Sequence, residues 1–67
     1  MKFRDVRRML REDGWSPLPR TGTSHEHWVH TTKTGRVTVA GNDGDDVARG
    51  TLRNILRQAG LDWPPRR

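Results

Sequence analysis

Cysteine is absent, which removes disulfides and thiolate metal sites as staples and leaves a reducing compartment open to the chain. No apolar run is long enough for a signal-peptide core or a membrane span, so the expectation is a cytoplasmic protein with no membrane partner. Apolar residues make up only 30% of the sequence. They fall in helical and strand periodicities instead of being spread evenly, which argues against disorder and for a small core. Internal repeats, low-complexity tracts and a second domain are missing as well. The 67 residues therefore read as one domain, 1–67, with a short Pro/Arg tail at 62–67. So short a domain buries a small fraction of its surface, and a partner or a dimer would help it.

Positive charge is what the chain has in excess: 13 Lys and Arg against 8 Asp and Glu give a net charge of +5. That balance implies an anionic partner, and both nucleic acid and an acidic protein fit it.

Phe3, Val6, Met9 and Leu10 recur at helical spacing, and Gly14 offers a left-handed stop, so the first helix is expected at about Lys2 to Asp13. Arg4, Arg7, Arg8 and Arg11 repeat with the same period on a neighbouring face. Such a stripe fits either a solvated surface or a contact with RNA or an acidic partner. Trp15 to Arg20 should be extended, because Pro17 and Pro19 disfavour helix at Ser16 and Leu18 and remove two ladder donors; an edge strand suits it. After a turn at Thr21 to Ser24, Glu26, Trp28 and His30 alternate with His25, His27 and Val29. Thr32 to Gly35 makes the next turn. Val37 and Val39 then alternate with Arg36, Thr38 and Ala40, which completes a hairpin.

The loop Gly41-Asn42-Asp43-Gly44-Asp45-Asp46 is acidic but lacks the spacing and terminal glutamate of a calcium loop, so it reads as solvated or helix-preceding. Val47 is placed to close over the core. Leu52, Ile55, Leu56 and Ala59 form the apolar stripe of a second helix, capped by Thr51 or a loop aspartate and ended by Gly60. Arg49, Arg53 and Arg57, four apart, make a second cationic row. The order helix, three strands, helix is an α+β arrangement in which both helices cover one face of an antiparallel sheet, since each has one apolar stripe to hide. Trp28, Val37 and Val39 then point inward. His25 and His27 project from the open face, near Arg36 and Thr38 if the register allows.

In this order and spacing the chain resembles the HicA-type toxins, small ribonucleases (mRNA interferases) of bacterial type II toxin–antitoxin pairs whose partner is HicB. The resemblance rests on the amphipathic first helix ending in Gly14-Trp15 and on Ser24-His25 with Trp28 and His30. It extends to Val37-Thr38-Val39, Gly50-Thr51-Leu52-Arg53, Ile55-Leu56 and Ala59-Gly60-Leu61. It implies a double-stranded-RNA-binding-domain-like α-β-β-β-α fold, an mRNA substrate, a HicB-like antitoxin, and a catalytic histidine after the glycine–serine turn, which falls on His25.

Metal-free RNA cleavage needs a base for the 2′-hydroxyl proton, charge to stabilise the phosphorane and an acid for the 5′-oxygen. Histidine serves either proton role near neutral pH. Ser24 could orient the imidazole, Lys33 and Arg36 are the nearest cations in sequence, and His27 is a surface or substrate-contacting residue. His30 is expected to pack or hydrogen-bond. The spacing of His25, His27 and His30 also invites zinc, but strand alternation puts His30 on the other face, and neither metal nor any other cofactor is expected. Trp63 is the tryptophan placed to meet RNA or a partner. A non-catalytic RNA-binding module is the alternative reading; a DNA-binding domain fits less well, since three strands separate the helices.

Overall fold

A computed structural model describes residues 1–19, 22 and 25–65. Its elements run α1 (Phe3–Glu12), β1 (Trp15–Pro17), β2 (Glu26–His30), β3 (Val37–Val39) and α2 (Arg49–Ala59). The three strands form one antiparallel sheet in the order β1-β2-β3. This is the α-β-β-β-α order expected from the periodicities. Phe3, Val6 and Leu10 of α1 join Leu52, Ile55, Leu56 and Ala59 of α2 in a single buried cluster with Trp15, Trp28, Val37, Val39 and Val47. Both helical stripes thus meet the inward side chains of all three strands.

The first helix begins where the acidic loop ends its free amides. Phe3 N–H donates to the Asp45 carbonyl at 3.0 Å and Arg4 N–H to the Asp43 carbonyl at 3.2 Å, while Val47 N–H donates to the Met1 carbonyl at 2.9 Å. The first amides of a helix have no partner inside it and must find one elsewhere. Gly41 lies against this junction: a Cβ built on it would sit 2.3 Å from Phe3 Cε2. At the other end, the chain leaves α1 through Gly14 at φ +101°, where a Cβ would come within 2.7 Å of His30 Nε2.

The second helix departs from expectation at its start. Ala48 is its N-cap, no side chain caps it, and Thr51 lies inside the helix. Its end is as read: Gly60 takes the left-handed conformation at φ 69°, with Gly60 N–H donating to the Arg57 carbonyl and Leu61 N–H to the Leu56 carbonyl, the Schellman pattern. The tail is docked over part of its length. Trp63 is half-buried against the core, and the guanidinium groups of Arg49 and Arg53 each lie 5.9 Å from its ring centroid. Arg20, Arg66 and Arg67 fall outside the described residues, as does most of the Thr21 to Ser24 turn.

Strand edges are closed in two ways. β1 is a three-residue edge strand ending in Pro17, which has no N–H to offer. On the opposite edge Thr38 N–H donates to Gln58 Oε1 of α2 at 3.1 Å.

Candidate functional site

Strand β2 organises the histidines. Glu26 and Trp28 are buried while His27 and Val29 are half-exposed, as alternation requires. Glu26 pairs with Val39, His27 with Thr38 and Trp28 with Val37. On the open face His27 Nδ1 lies 3.2 Å from Thr38 Oγ1, the neighbour expected for it. His25 precedes the first residue of the strand and is exposed. Ser24, the candidate for orienting its ring, lies outside the described residues.

The two cations expected to assist His25 are placed elsewhere. Lys33 Nζ donates to Asp13 Oδ2 at 2.6 Å and to the Ala59 carbonyl at 2.9 Å. It ties the end of α1 to the end of α2 and is not poised for a phosphate. Continuing the ladder register by one residue at either end of β3 sets His25 opposite Ala40 and Arg36 opposite Val29, four positions apart and so roughly 13 Å along the strands. Arg36 is exposed but does not flank His25.

His30 is a structural histidine. Its Nδ1 accepts the backbone N–H groups of Thr32 at 3.0 Å and Lys33 at 3.1 Å. The hydrogen therefore sits on Nε2, which donates to the Asp13 carbonyl at 2.6 Å. Asp13 is the hub of this corner, for its carboxylate also accepts Trp15 Nε1–H at 3.1 Å. The Lys33 hydrogen bond, against a smaller desolvation effect, holds the Asp13 carboxyl below the usual range, with the charge of Lys33 and the hydrogen bond from Trp15 adding to it.

Arg7 corrects the expected cationic stripe. It is 7% exposed, and every arm of its guanidinium is used. Nε donates to Glu26 Oε1 at 2.9 Å, Nη1 to Asp43 Oδ1 at 2.7 Å and Nη2 to the Gly41 carbonyl at 2.6 Å. Burial opposes its charge, but the hydrogen bonds and charges of Glu26 and Asp43 outweigh burial and raise its pKa. The same Glu26 Oε1 accepts Trp28 Nε1–H at 2.7 Å. Neither Arg7 nor Glu26 is available as an RNA contact. This network escaped sequence reading, although two signals were present: Arg7 lies beside Val6 on the apolar flank of α1, and Glu26 shares the inward parity of Trp28.

The remaining arginines divide by location. Arg4, Arg8, Arg49, Arg53 and Arg57 are exposed on the helices, which cover the face opposite His27. Arg8 lies 3.9 Å from Asp5, and Arg57 Nη2 donates to Asn54 Oδ1 at 3.0 Å. Arg11 is different, because its guanidinium lies 5.1 Å from the Trp28 ring centroid. It lines a cleft together with Pro17, Glu26, Asn42 and Asp43. Arg11 is thus an exposed cation that the fold brings to the end of the sheet from which His25 emerges.

Among the described residues no group of His, Asp and Glu is clustered to hold a metal ion, and no helix is long and apolar enough to cross a membrane. Residues 3–61 match the family model described as the HicA toxin of bacterial toxin–antitoxin systems. The chain belongs to the HicA toxin family. Its role is accordingly that of the toxin in a toxin–antitoxin system, a family of nuclease-type toxins that act opposite an antitoxin partner. Comparison with curated proteins found no match. The matched span runs from the first residue of α1 to the residue after Gly60, so the HicA unit coincides with the folded elements.

Proposed function

We propose that this HicA-family chain is a metal-independent endoribonuclease that cleaves mRNA in the cytoplasm, with His25 as general base or acid, and that a HicB-like antitoxin silences it. The observation that carries the reading is an exposed histidine at the mouth of β2 in a toxin-family domain of net charge +5. An imidazole there can take the proton of a ribose 2′-hydroxyl. The resulting oxygen attacks the adjacent phosphorus, a cyclic phosphate forms, and the 5′-oxygen of the next nucleotide leaves with a proton. A positioned acid or base contributes about a hundred- to ten-thousandfold in rate. Arg11, at the same end of the sheet but on its helical side, adds positive charge there, and His27 and Thr38 offer hydrogen-bonding groups on the open face. The exposed helical arginines attract RNA at long range and suit an acidic antitoxin.

His25→Ala should abolish growth arrest and the cleavage of labelled mRNA by purified protein, while antitoxin binding and thermal unfolding stay as in the wild type. Chelators should leave the cleavage rate unchanged. An undiminished His25→Ala enzyme would refute the assignment. RNA retained intact, with a steep salt dependence, would instead identify a binding module.

A further inference from the structure

Glu26 follows the proposed catalytic residue directly, and its side chain is among the most constrained polar groups in the molecule. It is 9% exposed, and one carboxylate oxygen takes both Arg7 Nε–H and Trp28 Nε1–H. Arg7 carries the constraint onward, to the Asp43 carboxylate and the Gly41 carbonyl. One guanidinium thereby joins α1, the first residue of β2 and the loop that follows β3. The joint closes the end of the sheet where His25 emerges and where, by register, residue 40 stands across from it.

Such an arrangement is an expensive way to hold a fold together. Two buried charges lose their hydration, and an apolar pair of similar size is often as stable or more so. What an ion pair with forked geometry supplies is direction, since a bidentate or branched guanidinium fixes its partners in angle as well as distance. Pinning Glu26 inward fixes the peptide plane shared with His25 and turns the histidine toward the opposite face. The loop at Gly41 to Asp43 is set by the same group, so the two walls that an RNA strand would meet at this end are held in one relation.

We infer that the Arg7–Glu26 pair is a positioning device for His25: it acts on RNA cleavage through the orientation of the histidine and not through contact with substrate. This rests on the ribonuclease reading above. Misplacing a reacting group by about an ångström costs on the order of a hundredfold in rate, so loss of the pair should slow the chemical step ten- to a hundredfold.

The test compares wild type, His25→Ala, Glu26→Gln, Arg7→Lys and the double variant Arg7→Met/Glu26→Gln. The double variant leaves no unpaired charge in the core, because Asp43 is exposed. Each protein is assayed for thermal unfolding, for affinity toward an RNA blocked by a 2′-deoxy substitution, and for single-turnover cleavage across pH. The inference expects the double variant to fold and bind the blocked RNA like wild type while cleaving ten- to a hundredfold more slowly with a displaced pH profile. Arg7→Lys, which keeps the charge but loses the fork, should be slowed as well. Wild-type rates and profile in Glu26→Gln and in the double variant would overturn it, with His25 as catalyst untouched so long as His25→Ala is inactive. Unfolding of every variant of the pair would assign it to stability alone and overturn it too. An active His25→Ala, by contrast, would remove the ribonuclease assignment itself.

Discussion

Replacing Gly41 with alanine adds one methyl group where the packing has no room for it. The new Cβ would lie 2.3, 2.5 and 2.6 Å from three carbons of the Phe3 ring, against 3.4 Å or more in ordinary contact. The ring must therefore retreat by about an ångström. Phe3 is buried and opens α1, its amide held by the Asp45 carbonyl at 3.0 Å, so the ring cannot withdraw without disturbing the helix start. The backbone there has φ +158°, which L side chains rarely adopt, so strain adds to an overpacking cost of about 2–3 kcal/mol. A domain of this size is held by roughly 3–5 kcal/mol, so the substitution should consume half or more of its stability and lower Tm by about 10–20 °C. Urea and thermal unfolding of Gly41→Ala, Phe3→Leu and the double variant measure it. The smaller leucine should recover space, so the double variant should be less destabilised than the sum of the two single ones. A Gly41→Ala protein within about 0.5 kcal/mol of wild type, the usual range for inconsequential surface changes, would refute the packing argument.

Gly14→Ala should destabilise by about 2–3 kcal/mol, since positive φ costs an L-residue about 1–2 kcal/mol and the methyl would also displace the His30 ring. Gly60→Ala, at φ 69° with Lys33 no nearer than 3.6 Å, should show the conformational penalty alone, about 1 kcal/mol; the two are compared in one denaturation series. The Asp13 carboxyl lies below its ordinary value of 3.8, so its contribution to stability is present above that pH and lost as pH falls through the lower folded value. Asp13→Asn should flatten the stability curve below about pH 4 and leave an offset above it. Arg53→Gln together with Arg57→Gln should weaken RNA binding and reduce its salt slope by about one for each phosphate no longer neutralised; an unchanged slope would show that α2 does not face RNA.

Legibility in the sequence followed periodicity. The apolar stripes of both helices, the inward parity of Trp28, Val37 and Val39 and the stop at Gly60 needed only local spacing, and all appear as read. The hydrogen-bonded role of His30 was legible for the same reason, as parity separates it from His25 and His27. What escaped was decided between segments distant in sequence. Arg7 reads as one more member of a cationic row, and only the approach of Glu26 and Asp43 turns it inward. Lys33 is a free cation in the sequence and becomes a strut because the ends of two helices converge on it. The cap expected for α2 was likewise a local guess, and Ala48 stands in its place. His25 itself remains legible through its family motif more than through physics, for strand alternation gives its face but not its partners.

The hydrogen bonds that tie residues 1–4 to the acidic loop bear on how the toxin comes into being during translation. These residues leave the ribosome well before their partners at 43, 45 and 47, which arrive only after all three strands have been made. Until then α1 lacks its lid, Arg7 has neither Asp43 nor Gly41 to hold, and the joint behind His25 cannot close. A growing chain would thus lack its finished toxin fold until the loop after β3 had emerged.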